Sequence, residues 1–246
     1  MPESPRVVLA TGGARRIGAA IVRTLHGAGC DVAIHCHASF DAADALAREL
    51  DAVRPGSTLV LQADLAHDDR LPELIAHTVG HFGRLDGLVN NASAFFPTPL
   101  GTATPAQWDA LFASNARAPF FLAQAAAPHL VAAGGAIVNL VDIHAARALA
   151  DHTPYVMAKA ALMAGTRALA VELAPRVRVN AVAPGAILWP EQGTDADRRD
   201  ALLARTPLAR TGTAEEVAEA VRWLLLEASY CTGQVLEVDG GRTLLV

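Results

Sequence analysis

Apolar residues recur along this chain in two rhythms. Short β-branched runs in which nearly every position is apolar alternate with longer Ala- and Leu-rich stretches whose apolar positions return every three to four residues. The first rhythm predicts strands at 6–10, 31–35, 58–62, 87–89, 136–141, 177–182 and 234–238. Runs that are apolar on both faces suit a parallel sheet covered on both sides. The second rhythm predicts helices near 16–28, 41–53, 70–81, 105–131, 154–173 and 214–227, the last opened by a capping box of Thr213 and Glu216. Because strand and helix alternate, the expected fold class is α/β: a parallel sheet of about seven strands with helices on both faces. Residues 184–199 follow neither rhythm, which predicts a loop that contacts substrate.

At 246 residues the chain fits one domain spanning 1–246. A net charge of −5 and a pI near 6.0 provide no basic field for nucleic acid. Alanine supplies much of the 52% hydrophobic content, and no unbroken apolar run approaches the ~20 residues of a membrane span. Neither nucleic acid nor membrane is an expected partner. Cys30, Cys36 and Cys231 are odd in number and lack paired spacing, and the first strand is predicted to begin near residue 6. Those features point to a reducing, cytoplasmic setting without a signal peptide.

Candidate chemistry collects at three places. Thr11-Gly12-Gly13-Ala14-Arg15-Arg16-Ile17-Gly18 lies between the first strand and first helix, where glycines let a backbone approach a pyrophosphate and the helix N-terminus favours its charge. Glycine also serves ordinary turns, so this segment alone leaves both readings open. The second strand ends in His35-Cys36-His37-Ala38-Ser39, with no carboxylate to pair with a ribose 2′-hydroxyl. That absence permits a 2′-phosphate, contacted by His37, Ser39 and an arginine of the first turn, and so predicts NADPH. No partner cluster with ligand spacing accompanies these histidines, and no metal site is expected. Finally, Tyr155 and Lys159 stand four residues apart, one helical turn, and the strand before them runs into Asp142. An ammonium beside a phenol favours phenolate, so Lys159 is expected to lower the Tyr155 pKa and make it a usable acid. A Tyr-x-x-x-Lys spacing also arises on helices with no catalytic task.

Together with Gln62-Ala63-Asp64-Leu65, Asn90-Asn91-Ala92, Ser114-Asn115-Ala116, Val179-Asn180, Pro184-Gly185 and Val238-Asp239-Gly240-Gly241, these motifs resemble the short-chain dehydrogenase/reductase superfamily over essentially the whole chain. Two departures narrow the likeness: Arg16 replaces the glycine usual two positions before Gly18, and Asp142 replaces the usual catalytic serine. Both departures, with His35-x-His37-x-Ser39 and the run Asn91-Ala92-Ser93-Ala94-Phe95-Phe96-Pro97-Thr98-Pro99-Leu100, are similar to pteridine reductases, including bacterial dihydromonapterin reductases.

The resemblance implies a single Rossmann-type, doubly wound domain in a homotetramer that binds NADPH/NADP+ and a pterin or folate. It assigns Thr11, Gly12, Arg15, Arg16, Ile17, Gly18, His35, His37, Ser39, Asp64, Leu65, Asn91, Ala92, Ser93, Pro184 and Gly185 to the cofactor, with Tyr155 and Lys159 at its nicotinamide end. Asp64 and Leu65 would flank the adenine, and Asn91 and Ala92 a ribose. Lys159 would contact the nicotinamide ribose, and Asn115 would support a bound water in a proton relay beside Asp142, Tyr155 and Lys159. On the substrate side, Phe95 would stack the pterin, Arg16 and Ser93 would meet its edge, Asp142 and Tyr155 would serve its nitrogen, and Leu188 and Trp189 would wall the pocket. Two alternatives remain: a short-chain carbonyl or 3-oxoacyl reductase on the same fold, and a non-catalytic NADPH-sensing regulator. The second would not need Tyr155, Lys159 and Asn115 together.

Overall fold

Seven strands, β1 (Val7–Ala10), β2 (Asp31–Cys36), β3 (Thr58–Gln62), β4 (Gly87–Asn90), β5 (Ala136–Leu140), β6 (Arg178–Pro184) and β7 (Val235–Val238), pair in parallel in the order β3-β2-β1-β4-β5-β6-β7. These elements come from a computed structural model that describes residues 4–188 and 196–245. Alternate residues of each strand serve opposite layers, which explains the unbroken apolar runs. Val8, Ala10, Val32, Ile34, Val89 and Val138 pack on the face covered by α1 (Arg16–Gly27), α2 (Phe40–Asp51) and α8 (Ala214–Leu226). Val7, Leu9, Ala33, Leu88, Ile137 and Val179 pack on the other, beneath α3 (Arg70–Phe82) and α5 (Ala118–Ala133). The chain order reverses between β1 and β4, the switch point at which open α/β sheets hold ligands beyond their carboxyl ends.

Two predicted elements change form. The stretch 105–131 is not one helix. It comprises α4 (Pro105–Phe112), a π-helical turn (Ala113–Arg117) and α5, and the widened turn carries Asn115. Within 184–199, β6 continues to Pro184 and α7 (Ala196–Leu203) begins before the predicted loop ends; Trp189 lies outside the described residues. The capping box at α8 is present: Thr213 Oγ1 accepts from Glu216 N at 3.2 Å, and Glu216 Oε2 accepts from Thr213 N at 2.8 Å. No helix among the described residues is long and apolar enough to cross a membrane.

Candidate active site

The Gly-rich turn is held from three sides. Asn91 Nδ2 donates to Thr11 O (2.9 Å) and Gly12 O (3.0 Å), while Thr11 Oγ1 accepts from Asn91 N and Ala92 N, both at 3.0 Å. Gly12 N donates to His35 Nδ1 at 3.2 Å, so the imidazole must carry its proton on Nε2, which lies 3.1 Å from Ala63 O. Burial pushes His35 down to about 4, which keeps this neutral tautomer. Thr11 and His35, each 1% exposed, hold the turn through these bonds, and His35 also lines the cavity beside it.

Glycine is required in this turn for steric reasons. A Cβ on Gly18 would lie 2.0 Å from Gly12 O, and Gly12 has φ +61° with Ala92 Cα 2.9 Å from its would-be Cβ. No side chain caps α1, and no acidic residue occupies its first turn. Beside it opens a cavity of about 590 Å³ lined by Gly12, Arg15, Arg16, Ile17, Gly18, His37, Asp64, Leu65, Asn91, Ala92 and Ser93, with buried His35 in its wall. This cradle suits a dinucleotide: bare glycine backbone and uncapped amides for a pyrophosphate, and exposed His37 at the end of β2. Ser39, at the N-cap of α2, lies outside the lining.

Arg16, Ile17, Asn91 and Ser93 are shared with a second cavity of about 360 Å³, closed by Phe95, Asp142, Tyr155, Lys159, Pro184, Gly185, Ile187 and Leu188. Arg16 holds a left-handed backbone, φ +53°, where a glycine would be unstrained; an arginine there costs about 1 kcal/mol of conformational strain and projects a cation between the cavities.

At the far wall, Tyr155 Oη donates to Asp142 Oδ2 at 2.7 Å, and Asp142 Oδ1 accepts from His144 N at 2.8 Å. Lys159 Nζ donates to Leu140 O at 2.8 Å and stands 5.9 Å from the Tyr155 ring centroid. The expected lowering of Tyr155 is overturned. Burial, then the Asp142 charge and its hydrogen bond, push the phenol well above its ordinary value, outweighing a lowering contact from Ser93. Lys159, itself buried, is pushed down to about 8, with Asp142 partly opposing that shift. The phenol therefore keeps its proton and shares it with a carboxylate.

Asn115 is fully buried. Its Nδ2 donates to Leu111 O and Ala94 O, both at 2.9 Å, and its Oδ1 accepts from Ser93 Oγ at 2.7 Å. The π-turn thus places an amide that anchors the Ser93–Phe95 segment through its side chain. Phe95 is 57% exposed, edge-to-face with Tyr155 (centroids 4.8 Å) and stacked on His152 (4.7 Å, 12°). Sequence reasoning missed His152. Its only signal is its position three residues before Tyr155, at the N-cap of α6 (Thr153–Glu172).

A crevice at the sheet switch point, a glycine cradle and a buried Tyr–Lys pair together define a dinucleotide-dependent oxidoreductase. A family model described as Enoyl-(Acyl carrier protein) reductase matches residues 12–243. Similar curated proteins include pteridine reductase 1 of Leishmania tarentolae, 37% identical over 99% of this chain and 98% of that protein. They also include granaticin polyketide synthase putative ketoacyl reductase 2 of Streptomyces violaceoruber, 38% identical over 99% and 98%, and 3-oxoacyl-[acyl-carrier-protein] reductase FabG of Staphylococcus epidermidis, 35% identical over 95% and 97%. The chain belongs to the short-chain dehydrogenase/reductase superfamily, oxidoreductases that work with NAD(P)H.

Proposed function

We propose that this oxidoreductase is a pteridine reductase that uses NADPH to reduce pterins such as dihydrobiopterin, dihydromonapterin or biopterin, and also dihydrofolate or folate, to their tetrahydro forms. The observation that carries the reading is the 2.7 Å Tyr155–Asp142 hydrogen bond in a cavity walled by Phe95. A carbonyl reductase needs a neutral hydroxyl to donate to a developing alkoxide, whereas reduction of a ring C=N needs a proton on nitrogen. A carboxyl group hydrogen-bonded to the phenol serves the second task.

When bound, the nicotinamide supplies the hydride. Tyr155 holds a proton on Oη, and giving it up beside an ionised Asp142 would set two anions 2.7 Å apart. Asp142 therefore relays: a proton taken up at Oδ2 passes to Tyr155 Oη as the phenol proton moves to the ring nitrogen next to the carbon that takes the hydride. Lys159 stabilises the negative charge of this pair through the pocket wall. Phe95 supplies a flat apolar face, and Arg16 and Ser93 meet the polar edge. NADPH rather than NADH is favoured by the absence of a carboxylate at the end of β2, with His37 and the first-turn arginines lining the same cavity.

The second reading, a 3-oxoacyl reductase, draws on the two ketoacyl-reducing relatives at similar identity. Ligand binding separates the two. Phe95→Ala weakens dihydropterin binding by about 1–3 kcal/mol while NADPH affinity holds, and methotrexate competes with the pterin, because a diaminopteridine offers the same flat face. Unchanged dihydropterin affinity in Phe95→Ala, together with indifference to methotrexate, contradicts the pterin reading.

A further inference from the structure

At the end of the strands opposite Tyr155, the N-terminal ends of β1, β4, β5 and β6 border another cavity, of about 340 Å³. Its charged lining is Arg6, Arg84, Asp86 and Arg178, and Ser4 and Ser229 add hydroxyls. Arg178 donates through Nη1 to Leu224 O (2.6 Å) and Ala228 O (2.9 Å) and through Nη2 to Leu225 O (2.8 Å); Arg6 Nη1 donates to Leu226 O at 3.3 Å. Consecutive carbonyls at one helix end therefore hold two guanidiniums side by side.

Among the described residues the charges do not cancel. The C-terminus of α8 offers about half a negative charge. Asp86 is committed to Arg84, at 2.8 and 2.6 Å, and to Val7 N at 2.8 Å. Among the described residues neither Arg6 nor Arg178 has a carboxylate partner. Burial pushes Arg178 down, Cys231 partly opposes that shift, and the neighbouring Arg6 cation adds a smaller push downward, so the two guanidiniums repel. Of the five N–H groups on each guanidinium, Arg6 uses one and Arg178 three in the bonds above, leaving donors for another acceptor.

We propose that this cavity binds a phosphate-type oxyanion, free or as a phosphomonoester, between the guanidiniums of Arg6 and Arg178, with the hydroxyls of Ser4 and Ser229 at its rim. A tetrahedral dianion relieves the repulsion, matches the planar guanidinium fork and fits the available volume. The site is separate from the cofactor cleft, and its occupancy ties the start of β1 to β6 and α8.

Calorimetric titration of inorganic phosphate and of glycerol 3-phosphate into cofactor-saturated protein, at constant ionic strength in chloride, tests this with the cofactor's own phosphate positions filled. The wild type binds saturably. Arg6→Gln weakens the affinity about tenfold or more, the scale of a lost charge-assisted hydrogen bond, and Ser229→Ala weakens it by less. Binding of inorganic phosphate alone marks a free-anion site, and binding of both probes marks a phosphomonoester site. No saturable binding by ~10 mM, a range weaker than useful recognition, overturns the proposal, as does unchanged affinity in both variants.

Discussion

Lys159 and Tyr155 titrate in opposite directions, and the pair gives the protein a pH signature. With Lys159 at about 8 in the fold and near 10.4 in an unfolded chain, the unfolded state holds the extra proton between about 8 and 10. Stability therefore rises with pH in that window. Above about 10 Tyr155 acts the other way, since its folded pKa is raised and the unfolded phenol loses its proton first. Activity falls across the window in which stability rises, because the ammonium is lost. Urea denaturation of the cofactor-free protein from pH 7 to 10 should show the rise, and Lys159→Met should abolish it; a rise that persists in the variant contradicts the assignment. The sequence made Tyr155, Lys159 and Asp142 legible through helical spacing and a strand end. It could not give the direction of the Tyr155 shift, which depends on how deeply the phenol is buried and on an Asp142 distance that only the fold sets. Nor could it show that His35 faces inward to hold the Gly12 amide.

Among the elements, the π-helical turn at Ala113–Arg117 does the most to shape the site. Continuous apolar periodicity through 105–131 concealed it, because one extra residue in a turn barely disturbs a pattern that returns every three to four positions. Strand positions were read nearly to the residue, since parallel strands buried on both faces leave unbroken apolar runs. Asn115 holds the turn against the Ser93–Phe95 segment through its three side-chain hydrogen bonds. Asn115→Ala should cost about 1–3 kcal/mol of stability, the penalty for orphaning buried polar groups. It should also raise the KM for the ring substrate more than that for the cofactor, because Phe95 loses its anchor. Chemical denaturation with steady-state kinetics checks both, and a stable variant with wild-type constants would show that the turn stands without Asn115.

For the whole molecule, the alternation of strand and helix made the α/β class legible, whereas the order β3-β2-β1-β4-β5-β6-β7 comes from pairings far apart in sequence. Phe120, Phe121 and Val131 on α5 and Trp223 and Leu236 on α8 and β7 remain at least 36% exposed in the isolated chain. Large apolar side chains grouped on two faces suit subunit contacts, and we expect a homotetramer: light scattering should give about four times 25.6 kDa, and a monomer at micromolar concentration would refute it. The central claim concerns substrate, and NADPH oxidation measured side by side with dihydrobiopterin, dihydromonapterin, dihydrofolate and a 3-oxoacyl thioester tests it most directly. Catalysis by Asp142 and Tyr155 at a ring nitrogen predicts the highest kcat/KM for a dihydropterin, with Tyr155→Phe lowering kcat by roughly a hundredfold or more. Efficient reduction of the 3-oxoacyl thioester with no dihydropterin turnover would contradict it.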